Sequence, residues 1–89
     1  MITKQFIING KVQGVAYRYF VKDSADKLGV IGTVKNLIDG TVKVIAQSDE
    51  GPLALFEAYL YKGSLHSVVE HINITEIDNF PYIGFKIIG

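Results

Sequence analysis

Apolar and polar residues alternate along the first part of the chain. Phe6, Ile8 and Val12 share one parity, while Gln5, Asn9 and Lys11 mostly take the other. A period of two marks a strand buried on one face, over residues 4–12. From Tyr17 the period lengthens: Tyr17, Phe20, Val21, Ala25 and Leu28 fall at i, i+3, i+4, i+8 and i+11. That is one stripe of a helix, with Lys22, Asp23, Asp26 and Lys27 on its wet side. Gly29 then stands where a left-handed residue ends a helix, a backbone state that costs glycine little. A second strand is predicted over 31–36. Asp39-Gly40 signals a turn, and Val42, Val44 and Ala46 resume the alternation, so the two strands form a hairpin. Ser48-Asp49-Glu50-Gly51-Pro52 reads as a helix start, with acidic groups at the positive end of the dipole and a proline near the first turn. Leu53, Phe56 and Leu60 supply the buried stripe of this second helix, supplemented by Leu55 or Tyr59, and Gly63 closes it. Val69, Ile72, Ile74 and Ile77 predict a long fourth strand whose register the pattern leaves open. Phe85-Lys86-Ile87-Ile88 predicts a short last strand beyond a turn at Pro81.

The order is β-α-β-β-α-β with a short extra strand. One hairpin and repeated strand–helix transitions predict an α+β fold, the ferredoxin-like sandwich: an antiparallel sheet carrying two helices on one face. At 89 residues and 9.8 kDa the expectation is one domain, residues 1–89. Cysteine is absent, which removes disulfides, thiolate metal sites and a cysteine nucleophile. Nine basic residues balance nine acidic ones, an argument against nucleic acid as a partner, since that binding works through released counterions. The apolar run Phe6-Ile7-Ile8 is too short for a secretion signal or a membrane span, so we expect a soluble, cytoplasmic chain, monomeric by default. The glycosylation sequon Asn73-Ile74-Thr75 then reads as ordinary strand. A fold of this kind hosts many activities, so function must come from a site.

The segment from Gly10 to Arg18 joins the first strand to the first helix. A tight loop at a helix N-terminus presents unpaired N–H groups, and Gly14 lets several of them converge on one anion. Arg18, in the first turn, offers a permanently charged planar fork that matches two phosphate oxygens. An oxyanion site is one reading, and a solvated surface arginine after a loop glycine is the other. Asn36, at the end of the second strand, is either the start of the turn through its own side chain or a neutral amide that orients a water. The nucleotide-binding pattern G-x-x-x-x-G-K-[ST] is missing. His66 and His71 lack partners at metal-ligand spacing, so no metal site is expected. None of the serines sits in a nucleophile motif, and the tyrosines read as packing residues rather than base-stacking platforms.

Gly10-Lys11-Val12-Gln13-Gly14-Val15-Ala16-Tyr17-Arg18, followed by Gly32-Thr33-Val34-Lys35-Asn36 and Asp39-Gly40-Thr41-Val42, resembles the acylphosphatase signature. The likeness is close over residues 4–46 and looser through Lys62-Gly63-Ser64 and Phe85-Lys86-Ile87. It implies a hydrolase cleaving the carboxyl–phosphate bond of a small acyl phosphate, with no cofactor or metal. It further implies that Arg18 and the loop Gln13, Gly14, Val15, Ala16, Tyr17 bind the phosphate, and that Asn36 holds the attacking water. The chain departs from the family pattern at Thr33, commonly tryptophan, at Tyr17, often phenylalanine, and at Gln47-Ser48, usually glycine. Thr33 is off the parity of Asn36, so altered packing is expected there rather than altered chemistry. Two other roles are compatible with the same loop: a non-catalytic phosphate-binding or regulatory module, and the accessory domain of a carbamoyl-phosphate-handling maturation protein. The short length and compact ends argue against the second.

Overall fold

The computed structural model describes residues 1–89. Its elements are β1 (Ile2–Lys11), α1 (Tyr17–Leu28), β2 (Ile31–Asn36), β3 (Val42–Ser48), α2 (Glu50–Lys62), β4 (Val68–Ile77) and β5 (Phe85–Ile87). The strands form one five-stranded sheet in the order β4-β1-β3-β2-β5. The four longer strands pair antiparallel, as the alternation predicts, and the ferredoxin-like architecture is present. β5 adds a parallel edge beside β2, because the chain crosses from one edge of the sheet to the other between β4 and β5.

Both helices lie against one face. Phe6 and Ile8 of β1, Val34 of β2, Val42, Val44 and Ala46 of β3, Ile72 of β4 and Phe85 of β5 meet Tyr17, Val21 and Ala25 of α1 and Leu53, Phe56 and Leu60 of α2. Leu55 and Tyr59 do not join this stripe. They remain 57% and 40% exposed, because three residues per two turns already fill the space over β3 and β4. β1 begins two residues earlier than the alternation indicates, since Ile2 still pairs with Ser48 at the end of β3. Gly29 ends α1 in the left-handed state, its N–H reaching the Ala25 and Asp26 carbonyls.

The register of β4 turns on a bulge at Glu70, the extra residue of β4 between His71, which pairs with Asn9, and Val69, which pairs with Gly10. That bulge explains why Val69 and Ile72, of opposite parity, both reach the core. Gly10 has φ 131°, and a Cβ there would run into the Val68 carbonyl and stand 2.9 Å from the Glu70 nitrogen. The bulge therefore needs glycine.

Candidate active site

Val12, buried at the end of β1, pins the start of the loop that leads into α1. Two residues of this loop are left-handed: Gly14 at φ 72° and Ala16 at φ 60°. Ala16 is the only non-glycine residue of the chain with positive φ, a state that costs alanine about 1–2 kcal/mol. Such strain persists only where the surroundings impose it, and two side chains do so. Gln13 donates from Nε2 to the carbonyls of Leu37 (2.8 Å) and Thr41 (2.9 Å), bolting the loop to the β2–β3 turn. Ser64, just past α2, donates from its hydroxyl to the Val15 carbonyl at 2.8 Å. Within one peptide plane the carbonyl and the next N–H point opposite ways. Holding the Val15 oxygen toward Ser64 thus turns the Ala16 N–H away from it.

The amides of Gly14, Val15 and Ala16 donate to no other backbone group, and the first intrahelical bond of α1 is Phe20 N–H to the Ala16 carbonyl at 3.1 Å. Ala16, as N-cap, has no side chain to satisfy the N–H groups of the first turn, and that turn contains no acidic residue. The result is a cluster of unclaimed donors at the positive end of a helix dipole.

Gly14 and Ala16 of this cluster line a cleft of about 150 Å³, together with Val12, Tyr17, Arg18, Tyr19 and Asn36. That is below the ~300–1,000 Å³ of ordinary small-molecule pockets, a size suited to a compact anionic head group. Arg18 is half-buried and forms no ion pair with any carboxylate of the protein. Asn36 enters from the end of β2, and its Oδ1 is buried with no hydrogen-bond partner. An unmet buried carbonyl costs about 1–3 kcal/mol, so such an atom calls for an explanation. No protein neighbour fixes the rotation of this carboxamide, and either of its ends can be turned to the cleft. Tyr17 forms one wall. Its hydroxyl donates to the Leu60 carbonyl at 2.8 Å, and burial pushes its pKa far above the usual phenol value.

Of the residues singled out from the sequence, Gly14, Ala16, Tyr17, Arg18 and Asn36 line this one cleft, although Asn36 lies far from the loop along the chain. Gln13 and Val15 do not line it; the Gln13 side chain and the Val15 carbonyl anchor the loop instead. Sequence reasoning missed Tyr19 as a wall and Ser64 as an anchor. Ser64 and Val15 are 49 positions apart, and no periodicity marks such a pair. Thr33 pairs with Ile45 and Lys86 in the sheet and is absent from the cleft. The Gln47 side chain is buried and accepts from the Phe80 N–H at 2.9 Å, holding the crossover between β4 and β5. No three His, Cys, Asp or Glu side chains gather into a metal-binding cluster, and no helix is long and apolar enough to cross a membrane.

Similarity to known proteins extends along most of the chain. The acylphosphatase family profile matches residues 4–87. Acylphosphatase of Bacillus subtilis is 42% identical over 76 residues, covering 85% of this chain and 84% of that one. The crystal structure of acylphosphatase from Bacillus subtilis superposes with a TM-score of 0.96 at 38% identity, over 100% of both chains. Full-length HypF in its phosphate- and nucleotide-bound form is also similar, with a TM-score of 0.92 at 30% identity, but this chain corresponds to only 12% of that protein. On sequence and on fold alike, this chain belongs to the acylphosphatase family, and it is a hydrolase of that class.

Proposed function

We propose that the cleft hydrolyses the carboxyl–phosphate anhydride of small acyl phosphates, with Arg18 and the loop amides holding the phosphoryl group and Asn36 positioning the water. The observation that carries this reading is that Asn36, whose buried amide oxygen has no protein partner, lines the same cleft as an unpaired guanidinium. A bound water satisfies the first, and a phosphoryl group satisfies the second.

The chemistry matches what the cleft contains. Water attacks phosphorus in line with the bond to the acyl oxygen; the new P–O bond forms as that bond breaks. The carboxylate departs with the electron pair, and the proton of the water passes to a phosphoryl oxygen. A carboxylate is a stable leaving group, so no strong general acid is needed on that side. What remains is placement of the water and stabilisation of charge on the equatorial oxygens, work that fixed amides and one guanidinium do without reorganising. No cofactor enters this scheme.

The test is hydrolysis of acetyl or benzoyl phosphate in buffer containing a chelator. Arg18→Ala lowers kcat/KM by about 10³-fold, the scale of an arginine in other phosphoryl transfers. Asn36→Ala lowers it by about 10²-fold, like removal of one fixed polar group at a reacting centre. Both variants keep the wild-type circular dichroism spectrum. Protection by inorganic phosphate without turnover above buffer identifies a binding module instead, and undiminished turnover in both variants removes the assigned roles.

A further inference from the structure

One edge of the sheet is left open beside a groove. β5 is an edge strand, and between it and α1 runs an open depression of about 660 Å³, lined by Tyr19, Lys22 and Asp26 of the helix and by residues 83–87. Gly32 N–H donates to the Gly84 carbonyl at 3.0 Å, and Ile88 N–H to the Val34 carbonyl at 2.9 Å. The even-numbered residues of this segment thus turn their backbone groups to β2, while Phe85 and Ile87 turn theirs to the free edge. No turn or loop bond claims those groups. The opposite edge, β4, is interrupted by its bulge at Glu70, a feature that discourages an added strand.

The two sides of the β5 edge differ in chemistry. Toward the helices, Phe85 is buried and Ile87 packs against the core, so the groove has an apolar floor. β5 runs beside β2 toward Asn36, which sets the exposed Ile83 at the Asp26 end of the groove and Ile87 nearer Tyr19. Lys22 Nζ lies 2.8 Å from Asp26 Oδ2, so the helix side brings no unmatched charge. On the other face of the sheet stand Lys35, Lys43 and Lys86, and β2, β3 and β5 place no carboxylate there. None of these three lysines forms an ion pair, and Lys35 directly opposes Lys43, a like-charge pair that weakens a sheet.

We propose that the β5 edge receives an extended segment of a partner protein as a sixth strand, and that this segment alternates apolar with acidic residues. Main-chain bonds to Phe85 and Ile87 hold it, its apolar side chains lie in the groove against α1, and its carboxylates meet Lys86 and Lys35 on the opposite face. Tyr19 to Asp26 spans about 10 Å of helix and residues 83–87 about 13 Å of strand, room for about four or five residues of the partner. A second copy of this chain fits less well, because pairing centred on β5 sets Lys86 against Lys86. The docking site goes beyond the hydrolase reading and does not depend on it.

The experiment titrates isotope-labelled protein with a blocked heptapeptide of alternating valine and glutamate and follows the backbone amides by NMR. The expected result is that the Phe85 and Ile87 amide protons move downfield and exchange more slowly with solvent. Ile87→Pro abolishes binding, since it removes an edge donor without removing a bond to β2. Lys86→Glu, at an exposed position that any fold-preserving substitution suits, weakens binding about tenfold through a lost attraction and a gained repulsion. The same variant binds the alternating valine–lysine peptide more tightly than wild type does. Phe85 and Ile87 amides that stay unchanged at millimolar peptide overturn the proposal, as does equal affinity of the wild type for the glutamate and lysine peptides. The same shifts appearing when the protein is concentrated without peptide identify a second copy as the occupant and overturn it too.

Discussion

Two residues of the loop carry conformations or contacts that ordinary helix starts lack. Ala16 adopts φ 60° and ψ 23°, and its Cβ makes that state unfavourable. Glycine at this position relieves the strain but adds freedom to the unfolded chain, a cost of about 0.5–1 kcal/mol. Relief exceeds cost, so Ala16→Gly leaves the thermal midpoint unchanged or raises it by the equivalent of up to about 1 kcal/mol, roughly 4–8 °C for a domain of this size. A drop of that size in a melting experiment would contradict the imposed conformation. Tyr17 tests another contact. Its hydroxyl satisfies the Leu60 carbonyl in the last turn of α2, where no intrahelical partner exists. Tyr17→Phe leaves that carbonyl unpaired and costs about 1–2 kcal/mol at neutral pH. Burial raises the folded phenol pKa, so the folded state binds this proton more tightly than the unfolded state. Its contribution is therefore complete below the unfolded value near 10 and is lost as the pH rises above it. Urea unfolding between pH 9 and 11.5 shows wild type losing about 1.4 kcal/mol per pH unit more than Tyr17→Phe above that point. Parallel curves for the two proteins exclude the buried phenol as the cause.

At the scale of elements, the cleft is a junction rather than a property of one loop. β1 leads into the loop, β2 brings Asn36, the β2–β3 turn holds Gln13, and the segment after α2 holds Val15 through Ser64. Asp39 shapes that turn by accepting from the Thr41 N–H and hydroxyl, bonds that also hold its carboxyl below the usual carboxylate pKa. Cutting either tie loosens the donors without removing any. Gln13→Ala and Ser64→Ala each weaken the stabilisation by inorganic phosphate, with Kd from thermal-shift titration rising about tenfold, while Ser64→Thr retains the wild-type value. A Kd unchanged in both alanine variants shows that the loop holds its own shape. These ties also mark where the amino-acid sequence stopped being legible. Helices and strands were readable because Phe6 and Ile8, or Val21 and Ala25, repeat with the period of the element they build. The loop and Asn36 were readable because their spacing matches a known signature. Ser64, the exposed Leu55 and the parity change in β4 were not, since each depends on which distant segment packs alongside.

Over the whole molecule, the formal charge is zero, and the cleft is a local concentration of donors in a neutral body. Long-range attraction of an anionic substrate is therefore weak, and binding depends on groups in direct reach. The walls of the cleft include no histidine, carboxylate or lysine. The Tyr17 phenol is held protonated by burial, and the Asn36 amide does not ionise. An enzyme that used a titrating acid or base would show a limb in its pH–rate profile near that group's pKa. This cleft has none to offer between pH 5 and 8. Once the substrate's own phosphoryl ionisation is complete, kcat/KM for acetyl phosphate should hold constant across that range to within about threefold. A bell-shaped profile that belongs to the protein, unchanged when a substrate of different acidity is used, would place a proton-transferring side chain in the reaction. Positioning of water by an amide and stabilisation of charge by fixed donors would then be insufficient as the account of catalysis.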